Sequence, residues 1–220
     1  MADMFEAPLW DQRYDSADGY LFGTRPAAFL TANAERLTAG ASALVVADGE
    51  GRNSVYLAEQ GVEVTAMDIS SVGATKARAL ATERGVTVDV RVADVLDWRW
   101  EPEAYDLVVA VFIQFLHPEQ RSEVFAGMTR TLRPGGRLLL HGYRPEQLSY
   151  GTGGPPLVEC LYTEELLTAA FADLEIERLA GYDADIEEGT GHVGRSALID
   201  LIARKPDAGA DGTAATATSR

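Results

Sequence analysis

Basic residues are scarce in this chain of 220: Lys and Arg number 19 against 34 Asp and Glu, a formal charge of −15. Binding a phosphate backbone takes clustered cations. The deficit therefore excludes nucleic acid as an expected partner, and it argues equally against an anionic membrane surface. Cysteine is nearly absent. Cys160 stands alone, so no intrachain disulfide can form and a reducing compartment is expected. Long apolar runs are missing too, with nothing near the roughly 18 residues of a membrane helix. The opening "MADMFEAPLW" has no basic stretch ahead of an apolar core, so no signal peptide is read. The expected location is the cytoplasm, as a monomer or homodimer. Histidine is rare as well. His117, His141 and His192 are not spaced as metal ligands, and with one cysteine no metal site is expected.

What is present is core material: 46% of the residues are hydrophobic, ample for a packed domain. Strand-like runs lie at Ala43–Ala47, Val62–Met67, Val86–Val92, Tyr105–Phe112, Arg137–Gly142, Leu174–Tyr182 and Ser196–Arg204. Several are continuously apolar, the pattern of parallel strands buried on both faces. Helical patterns alternate with them. Asn53–Gln60 stops at Gly61 and Val72–Arg84 at Gly85, both suited to the left-handed residue past a helix end. Pro118 opens a helix striped by Val124, Phe125, Met128 and Leu132, which ends before the turn "RPGG". Thr163 caps "EELLTAAF". The alternation predicts an α/β fold, a doubly wound, Rossmann-like sheet of seven strands with helices on both faces. Ligands of such sheets sit at the carboxyl ends of the strands. Residues 1–42 read as a helical cover or lid with a helix from about Pro26. Residues 43–205 form the main domain. The tail 206–220, "PDAGADGTAATATSR" from Pro206, reads as disordered.

The stretch "ALVVADGEGRNSVYLAEQGVEVTAMDIS" has the outline of a nucleoside site. A strand runs into Asp48-Gly49-Glu50-Gly51, a helix follows, and Asp68 closes the second strand. Glycines allow close backbone approach, and an acid at that strand end accepts from ribose hydroxyls. The two loop acids decide which nucleoside. A pyrophosphate beside them would be repelled by about 1 kcal/mol per charge pair even in water-like dielectric. Ser54 also stands where a dinucleotide fingerprint has its third glycine. S-adenosylmethionine has no phosphate and carries a sulfonium cation, so an acidic loop suits it.

These residues resemble the motifs of class I S-adenosylmethionine-dependent methyltransferases. "VVADGEGRNSVYLAEQGVEVTAMDIS" resembles their first two motifs, "RVADVLDW" the third, "YDLVVAVFIQFL" the fourth and "LRPGGRLLLHGY" the next. The entry segments "WDQRY" and "FGTRP" resemble the small-molecule branch related to tellurite-resistance and thiopurine S-methyltransferases. Many relatives carry an acid ahead of the glycines where this chain has Val45, and here the acid lies in the loop at Asp48. The resemblance implies a mostly parallel sheet with an antiparallel last strand, S-adenosyl-L-methionine as cofactor and S-adenosyl-L-homocysteine as product. It implies that Gly49 and Gly51 face the methionine half, with Asp48 and Asn53 beside them and Asp68 on the ribose. Ile69 and Val95 would flank the adenine, and Asp94 would accept from its amine. Phe112 would lie near the transferred methyl. Arg25 would take the cofactor carboxylate, with Trp10 and Tyr14 as cover.

Each feature also has a plain alternative. Arg52 and Asn53 could simply cap a helix. Trp10, Tyr14, Tyr20 and Phe22 could be core, and Cys160 an inert buried thiol. The loop "SYGTGGPPLVE" at 149–159 and the later "GTGH" are read as walls of the acceptor pocket. An oxygen acceptor would need a base, and His141 and His192 are the candidates, with Tyr143 beside them. No acid–base pair is evident. The expected acceptor is therefore a small thiol, already partly ionised at neutral pH. The alternatives are O- or N-methylation of a small metabolite, a non-catalytic binder of the cofactor, and a nicotinamide dehydrogenase.

Overall fold

The computed structural model describes residues 6–208. The expected tail lies largely outside them. In chain order the elements are α1 (Ala7–Ser16), α2 (Ala28–Thr31), β1 (Ser42–Val46), α3 (Arg52–Glu59), β2 (Glu63–Asp68), α4 (Ser71–Arg84) and β3 (Asp89–Val92). Then follow β4 (Tyr105–Val111), α5 (Pro118–Thr131), β5 (Leu132–Tyr143), α6 (Gln147–Tyr150), α7 (Glu164–Ala170), β6 (Glu175–Glu188) and β7 (His192–Arg204). The seven strands form one sheet in the order β3-β2-β1-β4-β5-β7-β6. Its first five strands are parallel, and β7 runs antiparallel to both β5 and β6.

Side chains alternate between two cores, as strand geometry requires. Leu44, Val46, Val108, Ala110, Leu138 and Leu140 face one core, which α5 and α7 close with Val124, Phe125, Met128 and Leu167. Ala43, Val45, Leu107, Val109 and Leu139 face the other, closed by Phe29 and Leu30 of α2 and Leu57 of α3. This two-sided burial is why β1 and β4 read as unbroken apolar runs.

Several elements depart from expectation. Val86 packs beside Val55 and Leu80 instead of pairing, so β3 starts only at Asp89. The "RPGG" turn lies inside β5, where the pairing with β4 shifts register between Tyr105 and Leu107. The last hairpin is longer than predicted, because the acid-rich tip 183–195 pairs despite lacking an apolar pattern. Arg195 lies within 3.8 Å of Asp185 and Arg144 within 2.5 Å of Asp183 along it. The helix α1 falls within the expected helical cover, but its position was not foreseen. Its anchor is polar: Asp11 accepts from the Ser70 hydroxyl at 2.5 Å and the Val72 amide at 3.1 Å, at the start of α4.

Gly51 has φ +92°, and a Cβ there would meet Ala77 Cα and Cβ at 2.7 Å. Its role is the close approach of the loop to α4. Left-handed strain and backbone overlap together predict that Gly51→Ala costs about 3 kcal/mol in urea unfolding. Gly85→Ala, at φ +68° with open space around it, should cost only about 1 kcal/mol.

Candidate active site

The carboxyl ends of β1, β2 and β4 converge where the sheet order reverses, between β1 and β4. A cavity of about 430 Å³ opens there. Ala47 at φ 49° and Phe112 at φ 57° line it, both non-glycine residues in the left-handed region. Such strain of about 1–3 kcal/mol per residue persists only where surrounding packing enforces it.

Two buried carboxylates sit on the floor. Asp48 accepts from the Ser54 amide at 3.2 Å and from the Ser54 hydroxyl. Asp68 accepts from the amides of Gly49 and Ser70, each at 2.8 Å. Burial pushes both acids up to about 6. Their hydrogen bonds pull the other way, and the charges of Asp48 and Asp11 raise Asp68 further. A cation in the cavity would favour both ionised forms.

Most of the residues singled out in the sequence line this cavity: Trp10, Tyr14, Asp48, Gly49, Asn53, Asp68, Ile69, Asp94, Val95 and Phe112. Trp10 and Tyr14 stack at 5.5 Å on α1 and reach it from above. Gly49 needs its missing side chain, since a Cβ would stand 2.6 Å from the Tyr14 hydroxyl. Asn53 lines the wall while its Oδ1 accepts from the Ala27 amide at 3.0 Å. Leu96 donates its amide to Asp94 at 2.9 Å.

Other predicted residues are elsewhere. Gly51 faces Ala77 and is not in the lining. Arg25 points to the Glu187 carbonyl at 3.5 Å, outside the cavity. Arg52 lines the wall instead, paired with Glu188 at 2.7 Å. Glu50 turns away from the cavity. Its carboxylate pairs with Lys76 at 2.9 Å and accepts from the Phe22 amide at 3.3 Å, because α4 offers a cation on that side. Asp48 is thus the loop acid that faces the ligand space. Phe115, Leu116 and Gln120 also line it. Nothing in the run "FIQFL" distinguished Phe115 and Leu116 from core residues, and Gln120 lies beyond it in α5.

The three candidate bases separate. His141 lines neither this cavity nor its neighbour. Its Nδ1 lies 2.7 Å from Asp200, its cross-strand partner on β7, and its ring stacks on Phe29 at 5.0 Å. Tyr143 lines a smaller adjoining cavity of about 200 Å³. Burial raises its pKa, so it stays a phenol. His192 stands between the two cavities, 4.3 Å from Phe112 and 4.5 Å from Phe22 by ring centres. Burial foremost, with the charges of Arg52, His141 and Arg13, lowers its pKa to about 3. It is neutral at physiological pH. The 149–159 loop and the 189–195 turn meet at this second cavity, through Gly153, Gly154, Pro155 and Gly191.

Residues 43–136 match the family model described as a methyltransferase domain. The matched residues run from β1 into β5 and supply Asp48, Asp68, Asp94 and Phe112. Among curated relatives is a ubiquinone biosynthesis O-methyltransferase of Xanthomonas euvesicatoria pv. vesicatoria, 35% identical over 103 residues. That match covers 46% of this chain and 43% of the relative, so the likeness spans less than half of either. Among solved structures, one comes from work on the conversion of a disulfide bond into a thioacetal group during echinomycin biosynthesis. Its TM-score is 0.75 at 19% identity, over 91% of both chains. TehB from Haemophilus influenzae matches with a TM-score of 0.65 at 18% identity, over 90% of this chain and 66% of its own. These structures share the methyltransferase fold across its hairpin end as well, beyond the matched segment.

Proposed function

We propose that the protein transfers a methyl group from S-adenosylmethionine to a small-molecule thiol, leaving S-adenosylhomocysteine. The observation that carries the cofactor is the buried pair Asp48 and Asp68, held near neutral pKa in a cavity walled by Ile69, Val95 and Phe112. In this reading Asp68 takes the ribose hydroxyls, Asp94 the adenine amine, and Ile69 and Val95 the ring faces. Asp48 offsets the ligand's positive charge. When bound, the cofactor supplies an electrophilic methyl carbon on a cationic sulfur. The protein's part is to align an acceptor with it and keep water out, which supplies about 7–11 kcal/mol of a barrier when geometry is good. Residues 1–42 act as the cover, with α1 placing Trp10 and Tyr14 over the cavity.

The acceptor side supports a soft nucleophile. His192 has a conjugate acid of pKa about 3, too weak a base to strip a phenol. Tyr143 stays protonated. A thiol with pKa near 8.5 needs no such help. An O-methyltransferase reading is favoured by the name of the Xanthomonas relative. Aromatic thiols and phenols of matched skeleton, assayed at pH 7.5, separate the two. We expect the thiols to turn over at least tenfold faster by kcat/KM. Turnover confined to phenols or amines overturns the thiol assignment. Cofactor binding with no S-adenosylhomocysteine formed from any acceptor would make the protein a binder only.

A further inference from the structure

The two adjoining cavities differ in charge. The larger is lined by Glu6, Asp48, Asp68 and Asp94 as well as Arg52. The smaller has no carboxylate in its lining, and Arg13 is the charged side chain there. This is a local reversal in a chain with 34 acids and 19 bases. The Arg13 guanidinium lies 4.4 Å over the Trp10 ring, and among the described residues no carboxylate forms an ion pair with it. Its charge reaches inward far enough to act on His192.

The walls between are aromatic: Trp10, Phe22, Phe112 and Phe115 line both cavities. Their polar neighbours fall into two groups. Gln114 is committed, donating to the Tyr143 and Cys160 carbonyls at 2.8 and 3.3 Å and accepting from the Tyr143 amide at 2.5 Å. The buried Tyr143 hydroxyl and His192 Nδ1 have no hydrogen-bond partner. The Ser196 hydroxyl donates to the Gly194 carbonyl at 3.1 Å and lies close enough to the Tyr143 hydroxyl to act on its pKa. A site with aromatic faces, neutral polar atoms and one cation selects a flat ring with a negative substituent.

We propose that the smaller cavity binds the acceptor as an aromatic ring bearing a carboxylate-type substituent, with Arg13 pairing that substituent and His192 and Tyr143 facing the ring. Arg13 lines the smaller cavity and not the larger, so the charge it meets lies outside the cofactor's cavity. This rests on the methyl-transfer reading only in calling the ligand an acceptor.

The test is binding of 2-naphthoate and of its neutral isostere 2-naphthamide to the full chain saturated with S-adenosylhomocysteine, followed by tryptophan fluorescence. Naphthoate is expected to bind about fivefold tighter than the amide. Arg13→Gln should remove that preference while leaving the amide within twofold, and Arg13→Lys should keep most of it. Equal affinities in the natural protein, or an Arg13→Gln loss shared equally by both probes, would overturn the proposal. So would a failure of both to bind. If naphthoate binds selectively but no thiol is methylated, the thiol assignment fails and this one stands. If thiols turn over without regard to a carboxylate substituent, the reverse holds.

Discussion

Asp48→Asn is expected to weaken S-adenosylmethionine binding by about a hundredfold while making the ligand-free protein more stable at pH 8. Both effects come from one fact, the burial that pushes Asp48 up to about 6. The folded value lies above the unfolded one, so the folded state holds its proton more tightly. Stability is therefore greatest below about pH 4 and is lost as pH rises through 6. At pH 8 the ionised, buried carboxylate costs about 3 kcal/mol. Asparagine removes that cost and gives back part of the gain through weaker bonds to Ser54, for a net rise in melting temperature of about 2–4 °C. The same charge is what a bound cation would use. At an effective dielectric near 20 a contact pair is worth up to about 4 kcal/mol, and two-thirds of that is about a hundredfold in affinity.

The pH dependence follows with a fixed sign. A bound cation favours the ionised forms of Asp48 and Asp68, so binding near pH 6 releases protons and affinity falls as pH drops through 6. Calorimetry in buffers of different ionisation enthalpy reads the proton count directly. S-adenosylhomocysteine, which lacks the positive sulfur, should lose less affinity than S-adenosylmethionine in Asp48→Asn. Equal losses for the two ligands, or undiminished binding, would refute the electrostatic reading. Appreciable binding of a nicotinamide dinucleotide would refute it as well.

The parts of this molecule that were legible in its sequence are those whose environment repeats along the chain. β1 and β4 are buried on both faces, so each betrays itself as an apolar run, β2 alternates at its start and is apolar towards its end, and the ends of all three were placed within about a residue. The helices α3 and α4 stop at Gly61 and Gly85, both at positive φ. Asp48, Asp68 and Asp94 could be named because they stand where strands end, and strand ends are where such sheets bind ligands. What escaped depends on partners distant in sequence. Glu50 and Asp48 look alike in the loop, yet Lys76 on α4 draws one away while Ser54 holds the other in the cavity. Gly51 is a glycine because Ala77 presses against it. Helix α1 buries Tyr14 alone and is anchored through Asp11, which leaves no apolar period to read.

Lys76→Met should unlock the segment that closes the cavity. The Lys76 ammonium donates to the Tyr14 carbonyl at 2.5 Å, the Gly19 carbonyl at 2.6 Å and Glu50 at 2.9 Å, so its three protons are all engaged. Methionine can keep the packing but leaves the Glu50 carboxylate, 1% exposed, with the Phe22 amide at 3.3 Å as its remaining hydrogen-bond donor among the described residues. Stranding a buried charge in this way costs about 3 kcal/mol. The least expensive relief is local, because the strap 17–25 is otherwise held by a few bonds, chiefly the Thr190 and Gly191 amides on the Leu21 carbonyl at 2.9 and 3.2 Å. Hydrogen exchange at Phe22, Gly23, Thr190 and Gly191 is expected to speed up at least tenfold, while the amides of β1 and β4 keep their protection. Ligand dissociation should speed up too, since Phe22 of the strap lines the cavity. Adding Glu50→Gln to Lys76→Met should restore much of the stability, because the stranded charge is then gone, and a coupling of about 1–3 kcal/mol between the two sites is expected. If the single substitution speeds neither exchange nor dissociation, the strap is held by its aromatic contacts, and Lys76 is a bystander.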